Sequence, residues 1–155
     1  MRALLPSLIV LAVLAPALSE AQYRAVTFTT LGSFDYELPD PLDPAVKPNL
    51  AQVPPAVKAL DGLRVTIRGF MLPIDLDQSG VSVFMLNGSA DMCYFGAPVR
   101  MNEWVLVRMT DGRKAKFTHL PVAVSGRLEV GEELKHGRVV SLYRLTAVAA
   151  EGATR

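Results

Sequence analysis

The chain has a single cysteine, Cys93, in the stretch "DMCYFGAPVRMNEW" (91–104), which also holds Met92, Tyr94, Phe95, Pro98 and the only tryptophan, Trp104. A thiolate can act as a nucleophile if a base and an orienting carboxylate stand beside it. Here the base would be His119 or His136 and the carboxylate Asp91, but both histidines fall in turn-like sequence, close to Pro121 and Gly137. A thiolate is also a soft-metal ligand. Cys93, Met92 and His119 are then the residues that would hold copper or zinc. No C-x-x-C and no H-x-x-x-H spacing closes such a site. The third role is packing, because free cysteine is among the most buried residue types. In that role Cys93 lies beneath Phe95 and Trp104. No glycine-rich phosphate loop and no carboxylate pair suited to acid–base work is present. The residues therefore predict a protein that is not an enzyme and needs no cofactor. Its contact surface for a small ligand or an envelope protein would be Met92, Cys93, Tyr94, Phe95, Pro98 and Trp104.

These residues must be positioned by an exported domain. Met1-Arg2 is followed by an apolar run of 15 residues, Ala3 to Ala17, and then by small residues at Ala17-Leu18-Ser19 or Ser19-Glu20-Ala21. That is the pattern of a secretory signal peptide over 1–21. The run falls short of the roughly 20 residues a spanning helix needs, so no transmembrane segment is expected in the mature chain. A lone thiol in an oxidising compartment must be buried, metal-bound, modified or bridged to another chain. Without Arg2 and Glu20 the mature chain carries 15 basic and 14 acidic residues, a net of +1. Arg64, Arg68, Arg100 and Arg108 with Phe84, Tyr94 and Trp104 can be drawn as a nucleic-acid platform. The near-neutral charge and the exported address argue against such a partner.

Residues 22–60 hold Pro39, Pro41, Pro44, Pro48, Pro54 and Pro55. Proline lacks the backbone donor, so this extension can form neither a central strand nor a long helix. It is expected to wrap the domain, with an edge strand in "YRAVTFTTL" and one helical turn in "PPAVKALDG". Residues 61–150 are expected to form the barrel domain, and from Leu63 the hydrophobic period is two. Strands are expected in "RVTIRGFML" (64–72), "VSVFML" (81–86), "EWVLVRM" (103–109), "PVAVSGRLEV" (121–130) and "RVVSLYRLTAVAA" (138–150), with turns at Asp77–Gly80 and Asp111-Gly112. Gly69 and Gly126 interrupt the inward faces of two strong strands, where a missing side chain permits a sharp bend. A bent strand can pair with different neighbours at its two ends. The fold class expected is therefore all-β, a small five-stranded OB-like barrel with a proline-rich N-terminal extension. The usual capping helix has no counterpart in "TDGRKAKFTHL" (110–120).

The stretches "LGSFDYE", "VKALDGLRVTIRGFMLP", "CYFGAPVRMNEWV" and "VSGRLEVGE" with "VVSLYRL" resemble an exported, uncharacterised bacterial family, a domain of unknown function. Its marks are a G-F-M-x-P stretch ahead of a C-x-F-G-x-P loop, and the likeness runs from about Leu31 to Tyr143. The resemblance implies export and the barrel fold, and carries no activity. Together these features describe an exported, non-enzymatic binding or accessory module of the bacterial envelope, periplasmic or secreted. The alternative is a periplasmic soft-metal-binding protein using Cys93, in metal homeostasis or transport.

Overall fold

The computed structural model describes residues 22–40, 47–91 and 99–152. Six strands form one all-β sheet: β1 (Arg24–Val26), β2 (Arg64–Pro73), β3 (Val83–Asn87), β4 (Trp104–Met109), β5 (Val122–Lys135) and β6 (Arg138–Gly152). The ladder runs β1-β2-β3-β4-β6-β5 and returns from β5 to β2, so the last five strands bond in a ring. That ring is the five-stranded closure read from the glycines, with β1 added in parallel along β2. β4 and β6 pair in parallel, and the ring's other neighbours are antiparallel.

The closure turns on Gly69. Up to that residue β2 pairs with β5, ending at Gly69 opposite Val122, and from Phe70 opposite Asn87 it pairs with β3. A Cβ at Gly69 would overlap the Asn87 carbonyl oxygen and stand 2.9 Å from Phe28 Cε2. Gly126 serves the other bent strand. Its register shift lies between Ser125 and Gly126, and a Cβ there would come within 2.8 Å of Ala147 Cα. Only glycine lets the two backbones approach this closely.

Two short helices come from the extension. Thr27 caps α1 (Phe28–Leu31) by accepting from Thr30 N at 3.2 Å. Leu31 is fully buried, and the Tyr143 hydroxyl donates to its carbonyl at 2.9 Å. α1 thus covers one end of the ring from the N-terminal side of the chain, while the connection 110–121 contains no helix. α2 (Pro55–Lys58) buries Val57, and Leu60 follows it into the core. The stretch between the helices is tied down by one carboxylate. Glu132, 7% exposed, accepts from the Tyr36 hydroxyl at 2.5 Å and from Asn49 N at 2.6 Å.

Along β2, Val65, Ile67 and Met71 point inward to meet Phe84, Leu86, Val105, Val107, Val124, Leu128 and Leu145 in the core. β3 begins at Val83, two residues later than its sequence pattern, because Val81 bridges to Ala115 instead. β5 and β6 run on past the ring as a hairpin, which the glycine at 131 had hidden in the sequence. Its turn places both His136 (φ 52°) and Gly137 (φ 74°) in left-handed conformations, as a two-residue hairpin turn requires.

Candidate functional site

The end of the ring covered by α1 carries a cavity of about 740 Å³. Phe28 and Phe34 supply its aromatic wall, Ser89 and Asp91 its side after β3, and Arg100 and Glu103 its side before β4. Phe28 is held because Gly69 and Gly88 leave room for its ring; a Cβ on either would stand 2.9 Å from it. The segment before β4 is a 3-10 turn, Met101–Glu103, whose geometry sets the charged wall. Arg100 donates from Nε and Nη2 to Glu103 Oε1 at 2.8 and 2.7 Å, and Glu103 Oε2 accepts from Arg100 N at 3.1 Å. From Nη1, Arg100 reaches Asp35 Oδ1 at 3.0 Å. These hydrogen bonds lower the Glu103 carboxyl pKa and raise that of Arg100.

The Asp35 side chain is 97% exposed. An exposed pair of this kind contributes little stability. Nη1 is therefore a donor that can exchange Asp35 for the acceptor of a bound molecule, while Glu103 keeps the guanidinium aimed. Asp91 is fixed separately, accepting from Ser89 Oγ at 3.0 Å. Behind the turn Asn102 is fully buried and donates from Nδ2 to Phe34 O at 2.5 Å, which locks the aromatic wall to the start of β4. Its Oδ1 has no partner among the described residues.

Of the residues expected to form the contact surface, Met92, Cys93, Tyr94, Phe95 and Pro98 lie outside the described residues. Trp104 opens β4, half-buried, opposite Asn87. His119 is exposed, with its ring edge-on to Phe117 at 4.8 Å between centroids. His136 occupies the β5–β6 turn. Asp91 is on the cavity wall, held there by Ser89. Among the described residues no three His, Cys, Asp or Glu side chains group as metal ligands, and no helix is long and apolar enough to cross a membrane. The platform drawn for nucleic acid loses one member outright. Phe84 is fully buried in the core, because it sits one residue out of phase with the outward face of β3.

Sequence reading missed Phe28, Phe34, Asp35 and Glu103. Phe28, Phe34 and Asp35 belong to the extension and Glu103 to the edge of an expected strand, and only folding brings the extension against the β3–β4 connection. The one signal available was the phenylalanine spacing in "FTTLGSF" just before an acidic residue.

None of the curated proteins matches the chain. Among solved structures it is similar to a DUF3299 family protein from Pseudomonas aeruginosa, with 21% identity, a TM-score of 0.61, and coverage of 86% of this chain and 98% of that one. That likeness concerns the fold. A family model described as "Protein of unknown function (DUF3299)" matches residues 37–151, which takes in nearly all of the ring and, of the two residues tied to Glu132, Asn49. The chain belongs to the DUF3299 family.

Proposed function

We propose that the chain is an exported, non-enzymatic binding or accessory module of the bacterial envelope, periplasmic or secreted, whose ligand or partner docks at the α1 end of the ring. The observation that carries this reading is the cavity of about 740 Å³, of a size that suits a small molecule or a partner's side-chain cluster. It joins an aromatic wall to one aimed guanidinium and to the carboxylates of Asp35, Asp91 and Glu103, so apolar surface and directional polar contacts meet there, as in ligand sites. In sequence, residues 92–98, read as a contact surface, follow Asp91 and precede Arg100, two residues of its wall. The soft-metal alternative with Cys93, Met92 and His119 gains no supporting observation, since Met92 and Cys93 lie outside the described residues.

Native mass spectrometry of protein purified from the periplasm tests the proposal. A chain starting between Glu20 and Gln22 should carry a non-covalent adduct that is lost in Arg100→Ala. Recovery from the cytosol alone, adduct-free spectra throughout, or an adduct indifferent to Arg100→Ala would refute it.

A further inference from the structure

Residues directly opposite each other in a ladder share a face of the sheet. The register therefore defines what the outside of β2, β3 and β4 presents. Phe70 and Leu72 on β2 lie opposite Asn87 and Met85 on β3. Val83, Met85 and Asn87 lie opposite Arg108, Leu106 and Trp104 on β4. Phe70, Val83, Met85 and Trp104 are half-buried and stand apart from the core cluster, as does Leu106, which is itself buried, like Asn87 on the same face. Toward the β2–β3 hairpin the apolar residues are exposed: Leu72 is 36% exposed, Ile74 59% and Leu76 55%.

The other half of β2 is different in kind. Its outward residues are Arg64, Thr66 and Arg68, and Arg64 stands directly opposite Arg127 of β5. Two like charges opposed in a ladder are unfavourable. Arg64, Arg68 and Arg127 are all exposed, and none has a side-chain hydrogen bond or ion pair among the described residues. The neighbouring carboxylate Glu129 is already engaged by Arg144 at 3.2 Å. β2, β3 and β4 contain no acidic residue at all. The outside of β2 thus runs from a cationic half to an apolar half.

The geometry points to this face as a docking surface for an extended segment of another protein, acidic in one half and apolar in the other, laid along β2. Charge complementarity selects the partner. The arginines call for counter-ions that the described residues do not provide, and a second copy presenting the same face would bring Arg64, Arg68 and Arg127 again, with its Glu129 already engaged by Arg144. The inference is independent of the cavity at the α1 end, which involves none of these residues.

The test is selection of a peptide-display library on the mature protein, followed by fluorescence anisotropy with an enriched, labelled peptide. Enriched sequences should combine Asp or Glu in one half with aliphatic or aromatic residues in the other. Affinity should fall by about tenfold or more both in Arg64→Ala/Arg68→Ala and in Leu72→Ser/Ile74→Ser, and stay the same in Arg100→Ala. Arg64→Thr should weaken binding yet raise Tm by about 1–3 °C, because it relieves the like-charge pair. A purely structural role for Arg64 would not couple these two changes. No enrichment of acidic–apolar sequences, or affinity unchanged in either double variant, would overturn the inference. So would sedimentation with phosphatidylglycerol vesicles through the same residues when no such peptide is selected, which would assign the face to a membrane surface.

Discussion

Replacing Tyr36 by Phe tests how the proline-rich extension is held. The ring would stay and its packing with it, since Tyr36 is only 8% exposed and the phenyl group fills nearly the same space. What disappears is the hydroxyl donated to Glu132 Oε1 at 2.5 Å. The acceptor is a carboxylate that is 7% exposed, and Asn49 N donates to its Oε2. Hydrogen bonds to charged groups are worth about 1.5–3 kcal/mol, and that is the expected loss for Tyr36→Phe. Glu132→Gln should cost at least as much. Its amide can keep its oxygen on Asn49 N only by turning its N–H to the Tyr36 hydroxyl, which must then accept, so both charge-assisted bonds become neutral ones and the phenol proton loses its acceptor. The double variant should lose less than the sum of the two, with a coupling of about 1–2 kcal/mol. Urea titration followed through the fluorescence of Trp104, the only tryptophan, measures all three.

The same contact has a pH signature. Burial, the Glu132 hydrogen bond and the Glu132 charge hold the Tyr36 phenol above its ordinary range; burial does the same for Tyr143. A raised phenol pKa means the folded state keeps its proton longer than the unfolded state. The contribution is therefore complete below pH about 10 and is lost as pH rises beyond it. Wild-type stability should fall above that pH, and less steeply in Tyr36→Phe. Additive losses within about 0.5 kcal/mol, or an unchanged alkaline slope, would refute the account of the strap.

Gly69→Val should destabilise the domain by about 1–3 kcal/mol or more, since its side chain meets the Asn87 carbonyl and the Phe28 ring; an unchanged Tm would mean the bend is not there. Asp75 organises the β2–β3 hairpin by accepting from Ser82 N at 2.9 Å, Val83 N at 2.7 Å and the Ser82 hydroxyl, and these bonds, with the Ser82 hydroxyl first, lower its carboxyl pKa. Its support is present above the ordinary carboxyl range and lost as pH falls below about 4, so amide exchange at Ser82 and Val83 should outpace the pH trend of other strand amides there, and not in Asp75→Asn. Cys93 is expected to alkylate slowly in the folded protein, with copper(I) and zinc affinity the same in Cys93→Ser; rapid alkylation, or binding lost in the variant, would favour the metal reading.

Much of the ring was legible in the residues because a strand with one wet face leaves a period-two signature that survives in a single chain. Val65, Ile67 and Met71 alternate with Arg64, Thr66, Arg68 and Phe70, and the structure puts the first set inside and the second outside. The glycines at 69 and 126 were readable for a similar local reason: a missing side chain on the inward face of a strong strand leaves a gap in the core unless another backbone or ring closes in on it. The full length of β5 was not readable, because Gly131 and the register shifts after Val130 break the alternation that would have extended it.

The sequence by itself determined the all-β class, the bends that let five strands close, and which residues of β2 and of the first half of β5 face the core. These follow from short-range chemistry: side-chain alternation, backbone permissiveness and turn preference. Only the tertiary structure decided that Tyr36 and Asn49 meet Glu132, that Phe28 packs where Gly69 and Gly88 make room, and that Arg100 joins Asp35 to Glu103. It also decided that Arg64 faces Arg127. Such pairings join residues up to 96 positions apart. They depend on strand order and register, which arise from closing the whole ring and leave no periodic trace in either partner's neighbourhood.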